Sequence, residues 1–120
     1  MHYSFTLLSR NPKEVVEFWI KALGLHSKDE SMTNDGDYNY VDLYHRNQKI
    51  ITIVKSETDT KGLEVSIEVF SIEKEFAKLS KRGLDCKWFP QKKDLFTVED
   101  PQGNCLNFYQ NSMLNDSRER

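Results

Sequence analysis

The chain has 120 residues, of which 38% are hydrophobic, 12% aromatic and 30% charged, with a formal net charge of −2. This balance fits one globular domain with enough bulky apolar side chains for a core, and it excludes a disordered chain. The charge argues against a nucleic-acid-binding surface, because such surfaces carry an excess of lysine and arginine.

Membrane insertion and secretion are also disfavoured by the sequence. The longest apolar runs, such as Ile50–Val54, are far shorter than the stretch of about 20 residues that a membrane-spanning helix needs. The segment MHYSFTLLSRNP lacks the cationic start, apolar stretch and cleavage site of a secretion signal. A cytoplasmic protein is therefore expected, with Cys86 and Cys105 reduced.

The first half of the chain begins with a predicted strand and a predicted helix. Apolar and polar residues alternate over Tyr3–Ser9, which is typical of a strand with one buried face. Asn11 can cap a helix whose first position is Pro12. Helical spacing of apolar residues continues to Leu23, and Gly24 suits the left-handed position that ends a helix.

Residues 25–54 carry strand and turn patterns without helical spacing. Turns are predicted at Asn34–Asp37 and at Arg46–Gln48, each between two strands. The strands next to the second turn are predicted over Tyr38–Tyr44 and Lys49–Val54, because aromatic and β-branched residues concentrate there.

The second half repeats this order of elements after a polar linker, Lys55–Lys61. Leu63–Phe70 alternates as a strand, and Ser71 can cap a helix that runs to about Arg82. Asp100–Gly103 has the composition of a type I turn. Three more strands are predicted, at Leu84–Phe89, Asp94–Glu99 and Asn104–Tyr109. The repetition indicates duplication of one βαβββ unit.

The sequence thus predicts an α+β protein made of two βαβββ modules, residues 3–54 and 62–110. Together they are expected to form an incomplete eight-stranded, barrel-like groove with the helices outside. Both modules are assigned to one domain over residues 1–110, because one module alone could not cover both faces of its sheet. Residues 111–120 are polar and charged and are expected to form a flexible tail.

Two motifs of the chain are similar to those of a known family. FWIKALGL spans Phe18–Leu25, where the first predicted helix ends, and VEDPQGNCLNFYQ spans Val98–Gln110, at the last predicted hairpin. Both resemble the glyoxalase/bleomycin-resistance/dioxygenase domains of the vicinal-oxygen-chelate superfamily. The resemblance extends from Tyr3 to about Gln110 and implies the fold of paired βαβββ modules.

The resemblance implies a divalent metal in the groove, but this chain departs from the family at the ligand positions. The family places a His on the first strand, a His or Glu on the fifth and a Glu on the eighth. In this chain those positions fall on Ser4, Glu64 and Asn107. Only Glu64 is a competent ligand, because a hydroxyl and a neutral amide compete poorly with water for such an ion. No metal and no cofactor are therefore expected.

A relocated metal site is the alternative to a metal-free groove. His2 lies on the same predicted strand face as Ser4 and could take its place. Glu64 with either Asp42 or His45 would then complete a set of imidazole and carboxylate ligands. Against this alternative, His2 lies next to the start of the chain, where chains fray, and His45 borders a turn.

The strand faces opposite the helices are expected to line a concave groove. Its walls would carry aromatic rings and a few carboxylates, which suits a planar or cationic small molecule. Any one of these residues could instead have a structural role, in an aromatic ladder or in an ion pair at the rim of a sheet. The residues predicted to line the groove are Ser4, Thr6, Tyr40, Asp42, Glu64, Ser66, Trp88, Asn107 and Tyr109.

Three functions are compatible with these features. The first is a metal-free small-molecule-binding protein of the glyoxalase/bleomycin-resistance type, with an unknown ligand. The second is a glyoxalase- or dioxygenase-like enzyme with a divergent metal site, or with Glu64 as a general base if burial in the groove makes its carboxylate more basic. The third is an interaction module whose groove is filled by its own side chains. The resemblance also implies a homodimer.

Overall fold

The structure is a computed structural model that describes residues 3–110 of the chain. The predicted tail at residues 111–120 and the candidate ligand His2 lie outside the described residues. The described residues divide into two compact units. The first unit comprises residues 3–62 together with Asp100–Asn104, and the second comprises residues 63–99 and 105–110.

The elements follow the predicted order twice: one strand, one helix and three strands. The first half contains β1 (Phe5–Ser9), α1 (Pro12–Leu23), β2 (His26–Met32), β3 (Tyr38–His45) and β4 (Gln48–Lys55). The second half contains β5 (Glu64–Val69), α2 (Ile72–Lys81), β6 (Lys87–Phe89), β7 (Lys92–Glu99) and β8 (Cys105–Gln110). The fold is α+β, which confirms the predicted class. Neither α1 nor α2 is long and apolar enough to span a membrane, nor is any other helix among the described residues.

Each half of the chain forms its own four-stranded mixed sheet. The strand order is β1-β4-β3-β2 in the first sheet and β5-β8-β7-β6 in the second. The first strand of each half runs parallel to the last, and the other neighbours are antiparallel. A parallel pair requires a crossover connection, which α1 and α2 begin. Both sheets are open, and neither closes into a barrel.

α1 packs its apolar side against the first sheet. Val15, Val16 and Trp19 are almost completely buried. The helix ends at Gly24, whose left-handed backbone (φ 64°, ψ 40°) confirms the prediction. The Asn11 side chain makes no capping hydrogen bond, contrary to the prediction. Its backbone N–H instead donates to Ser9 Oγ at 3.0 Å.

α2 has a narrower apolar side, which lies against an aromatic cluster in the second unit. Ser71 caps the helix as predicted, since its hydroxyl accepts a hydrogen bond from the Lys74 N–H. Phe96 is fully buried, and its ring stacks on Phe108 at a centroid distance of 4.9 Å. Phe76 from α2 meets the edge of Phe96 at 5.2 Å. The stacked and edge-to-face rings form the core of this unit.

The turn between β7 and β8 belongs to the first unit. Its Asp100 side chain is only 4% exposed and accepts hydrogen bonds from three neighbours. Trp19 Nε1 donates at 3.2 Å, the Gln102 N–H at 2.9 Å and the Asn104 N–H at 2.8 Å. The Gly103 N–H donates to the Asp100 carbonyl at 3.2 Å, as expected for the predicted turn. Asp100 therefore joins this turn to α1.

The same turn also supplies donors to backbone carbonyls of the first unit. Gln102 Nε2 donates to the Leu8 carbonyl at 2.9 Å and to the Thr60 carbonyl at 3.1 Å. Asn104 Nδ2 donates to the Thr60 carbonyl at 2.9 Å and to Asp100 Oδ2 at 3.0 Å. Buried carbonyl groups need such partners, because leaving them unpaired costs free energy.

The predicted linker, Lys55–Lys61, is attached to the end of β1 by hydrogen bonds. Thr60 Oγ1 accepts from the Leu8 N–H at 2.8 Å. Asp59 Oδ1 accepts from the Arg10 N–H at 2.7 Å, and the Arg10 guanidinium lies 3.2 Å from Asp59 Oδ2. These bonds lower the pKa of Asp59, the backbone hydrogen bond from Arg10 having the largest effect. The segment is polar, as predicted, because its side chains bind backbone.

Candidate functional site

The face of the second sheet that lies opposite its aromatic core carries four of the predicted groove residues. Leu106 and Phe108 of β8 are buried in the core, so the alternating residues Asn107 and Tyr109 point to the other face. Ser66 of β5 lies directly beside Asn107 in the register of the sheet. Parallel pairing of β5 and β8 thus places the alternate residues of both strands on the same face of the sheet, as the sequence pattern predicts.

A cavity of about 450 Å³ lies on this face. Four of its lining residues, Glu64, Ser66, Asn107 and Tyr109, were predicted from the sequence. The structure therefore brings together the predicted residues that belong to the second unit, except Trp88. The described lining residues are Glu64, Ser66, Phe89, Asp94, Leu95, Asn107, Tyr109 and Gln110.

Two carboxylates give the cavity a negative character. Glu64 and Asp94 both line it, and none of the described side chains around it carries a positive charge. Asn107 Nδ2 donates to Glu64 Oε1 at 3.3 Å, which fixes one oxygen of that carboxylate. Two acidic groups that line one cavity attract a cation, with a strength that depends on how far the ligand excludes water.

Two aromatic rings give the cavity an apolar surface for a flat molecule. Phe89 is 46% exposed and Tyr109 is 39% exposed, which is high for side chains of their size. Leu95 adds an aliphatic surface beside them. Exposed rings next to carboxylates offer a ligand both stacking and charge contacts.

Trp88 lies on the other face of the second sheet, which corrects its prediction as a groove residue. Its ring stacks on Phe76 of α2, with a centroid distance of 4.6 Å and an interplanar angle of 11°. Trp88 pairs with Phe96 in the β6–β7 hairpin, and cross-strand partners share a face of the sheet. Because Phe96 is a core residue, Trp88 is directed toward the helix and its neighbour Phe89 toward the cavity.

Four lining residues were not predicted: Phe89, Asp94, Leu95 and Gln110. The register of the β6–β7 hairpin was the available signal for Phe89, and the pairing of Leu95 with Tyr109 was the signal for Leu95. Alternation from the buried Phe96 would place Asp94 on the opposite face. Pairing Trp88 with Phe96 would have assigned Phe89 to the cavity face. Residues Pro90 and Gln91 do not form a recognisable two-residue turn sequence, so the sequence alone left this register open.

The remaining predicted residues belong to the first unit. Thr6 lies beside Thr52 in the sheet, and Thr52 lies beside Asp42. Thr52 Oγ1 donates to Asp42 Oδ1 at 2.6 Å. Tyr40 lies on the same strand face as Asp42 and is exposed. Ser4 lines a different cavity, in the first unit.

The donor groups in this chain do not fit a divalent metal site of the kind that the resemblance implies. Asn107 directs its amide N–H, a hydrogen-bond donor, toward Glu64, so its Nδ2 cannot act as a ligand there. Asp42 has one oxygen engaged by Thr52. Within residues 3–110, no three His, Cys, Asp or Glu side chains are grouped so that they could hold a metal ion. The candidate ligand His2 lies outside this range.

Comparison with known proteins identifies similar structures but no similar sequences. No protein-family model matches the chain, and no curated protein matches it. TioX from Micromonospora sp. ML1 has a similar structure, with a TM-score of 0.69 and 16% identity over 92% of this chain and 98% of that one. TnmS3, an antibiotic-binding protein from Streptomyces sp. CB03234, gives a TM-score of 0.65 and 13% identity over 92% of this chain and 95% of that one.

A third similar structure was determined with a bound ligand. The bleomycin-binding protein from Streptomyces verticillus, in complex with copper(II)-bleomycin, gives a TM-score of 0.63 and 18% identity over 92% of this chain and 96% of that one. A glyoxalase/bleomycin resistance protein from Streptomyces sp. CB03234 shares this fold as well, with a TM-score of 0.61. The predicted fold of two βαβββ modules is thus confirmed.

Proposed function

We propose that this protein binds a small, planar and cationic molecule in the cavity of its second unit, without a metal ion. The observation that carries the proposal is the composition of that cavity. It combines the carboxylates of Glu64 and Asp94 with the rings of Phe89 and Tyr109. Its volume of about 450 Å³ suits a drug-sized ligand.

The similar structures support binding as the general activity. One is described as an antibiotic-binding protein and another as a bleomycin-binding protein. Both share only the fold with this chain, so the ligand class proposed here rests on the lining residues. The open cavity also argues against a groove that is filled by its own side chains, as an interaction module would require.

An enzyme that uses Glu64 as a general base receives less support. That alternative requires burial of the carboxylate, because desolvation is what would make it a stronger base. Glu64 is solvent-exposed, and Asn107 donates a hydrogen bond to it. The arrangement is better suited to attracting a cation than to abstracting a proton.

The proposal can be tested with two flat probes that differ in charge. 9-Aminoacridine is a cation at pH 7.5, and acridine is a neutral molecule of similar shape at that pH. We expect the cation to bind about tenfold more tightly, because each exposed carboxylate contributes on the order of 1 kcal/mol. Fluorescence titration and calorimetry measure both dissociation constants. Treatment with EDTA is expected to leave them unchanged.

Matched variants separate charge from stacking. Glu64→Gln and Asp94→Asn are each expected to weaken binding of 9-aminoacridine roughly fivefold. Phe89→Ala is expected to weaken the binding of both probes, because it removes a stacking surface. Glu73→Gln is the control, because this exposed glutamate lies on α2, outside the cavity. Equal affinity for the two probes would contradict the ligand class. A wild-type protein that binds neither probe would contradict the cavity as a binding site for planar molecules.

We also propose that the protein is a cytoplasmic homodimer. Both cysteines are thiols in the structure, and burial raises the pKa of the Cys86 thiol, which slows its oxidation. Dimerisation is implied by the resemblance to the family, and both sheets have edge strands that could pair with a second copy. Light scattering of the purified protein is expected to give twice the mass of the chain. A monomer at micromolar concentration would contradict this expectation.

A further inference from the structure

A second cavity lies in the first unit, at the end of the sheet where β3 turns into β4. Its volume is about 320 Å³. None of its described lining side chains is acidic, whereas two acids line the cavity in the second unit. The lining residues are Tyr3, Ser4, Tyr44, Asn47, Gln48 and Lys49.

One lysine lines this cavity, and a second lies over the ring of a lining tyrosine. The Lys49 side chain lines it and is only partly exposed. The Lys28 ammonium lies over the ring of Tyr44, 5.0 Å from its centroid. Within residues 3–110 neither lysine forms an ion pair, whereas Lys55 and Lys78 each have one. An ammonium that forms no ion pair within residues 3–110 favours the binding of an anion.

The other lining groups can complete the recognition of an oxyanion. Asn47 and Gln48 carry amide N–H donors, and Ser4 carries a hydroxyl donor. Tyr44 supplies an aromatic surface beside them, whose ring already contacts Lys28. A carboxylate or phosphate would find hydrogen-bond donors and positive charge in one place, and an attached flat ring would find the tyrosine.

We propose that this cavity is a second binding site, which takes small aromatic molecules that carry a carboxylate or a phosphate. The site lies within the first unit and shares no residue with the cavity of the second unit. It therefore stands independently of the function proposed above. The two sites select ligands of opposite charge. Lys49 lines the site that takes anions, and Glu64 and Asp94 line the site that takes cations.

Amide chemical shifts of ¹⁵N-labelled protein test this site directly. The probes are phenyl phosphate and benzoate, with benzyl alcohol and benzylamine as neutral and cationic counterparts of similar size. We expect both anions to shift the amides of Tyr44 and of residues 47–49, with dissociation constants on the order of 1 mM for such small ligands. The neutral and cationic probes are expected to bind at least about fivefold more weakly.

Lysine variants supply the matched controls. Lys49→Gln is expected to weaken the binding of phenyl phosphate about fivefold and Lys28→Gln about twofold. Lys61→Gln, an exposed lysine of the same unit, should have no effect. The wild-type comparison of charged and neutral probes does not depend on any variant folding. Equal affinity for phenyl phosphate and benzyl alcohol, or equal effects of Lys49→Gln and Lys61→Gln, would overturn the proposal.

Discussion

Replacing Asp100 with alanine is expected to lower the free energy of unfolding by about 4 kcal/mol, because several buried donors lose their acceptor at once. Those donors are Trp19 Nε1, the backbone N–H groups of Gln102 and Asn104, and Asn104 Nδ2. Each unsatisfied buried donor costs about 1–3 kcal/mol, and entry of water would offset part of the sum. Urea denaturation followed by circular dichroism measures the change.

The isosteric variant Asp100→Asn should have a free energy of unfolding between those of Asp100→Ala and the wild type. Its remaining oxygen can still accept from the N–H groups of Gln102 and Asn104. Its amide nitrogen would instead face Trp19 Nε1 and Asn104 Nδ2, which are themselves donors. We expect this variant to lower the free energy of unfolding by about 2 kcal/mol. Asp85→Ala is the control, since the Asp85 side chain is 85% exposed. An Asp100→Ala protein as stable as this control would contradict the role assigned to the carboxylate.

Replacing Phe96 with alanine is expected to destabilise the second unit by about 4 kcal/mol, since the substitution removes a fully buried ring and leaves a cavity. The lost contacts include the stacked ring of Phe108 at 4.9 Å and the edge-to-face rings of Phe76 and Trp88 at 5.2 and 5.6 Å. Trp88 lies in this cluster, so its fluorescence reports the loss of packing. Urea denaturation of a Trp19→Phe background isolates that signal.

The control for this substitution is Phe70→Ala. Phe70 is 58% exposed, and its removal should change the free energy of unfolding by no more than about 0.5 kcal/mol. Phe96→Leu should lower the free energy of unfolding by an amount between those of Phe96→Ala and Phe70→Ala, because leucine fills part of the ring's volume but cannot stack. If Phe96→Ala and Phe70→Ala had equal effects, the aromatic cluster would not be the core of the second unit.

The order of elements could be predicted from the sequence because each local signal agreed with its neighbours. Gly24 and Ser71 mark helix ends, and the structure uses both as expected. The alternation over β5 and β8 placed Glu64, Ser66, Asn107 and Tyr109 on one face, and they line one cavity. Local patterns suffice where pairing is in phase and strands are regular.

Trp88 shows where local patterns fail. Its face is set by pairing with Phe96 across a hairpin whose register is irregular after Trp88. A short strand of three residues has too few positions for alternation to reveal its buried face. Asp94 was missed because alternation from the buried Phe96 would place it on the core face, whereas the structure places it at the cavity. The hydrogen bond from Trp19 to Asp100 joins residues far apart in the chain, and no local signal could indicate it.

The turn at Asp100–Asn104 makes the two repeats unequal, because it joins two strands of the second unit but belongs to the first. A gene fragment that ends at residue 62 would encode α1 and the whole first sheet, yet it would lack the acceptor for Trp19 Nε1 and the side-chain donors that Gln102 and Asn104 supply to the Thr60 carbonyl. A recombination event that replaced the second half would preserve these hydrogen bonds of the first unit only if the replacement sequence carried an equivalent turn. The first unit thus contains a turn that follows most of the second repeat in the chain.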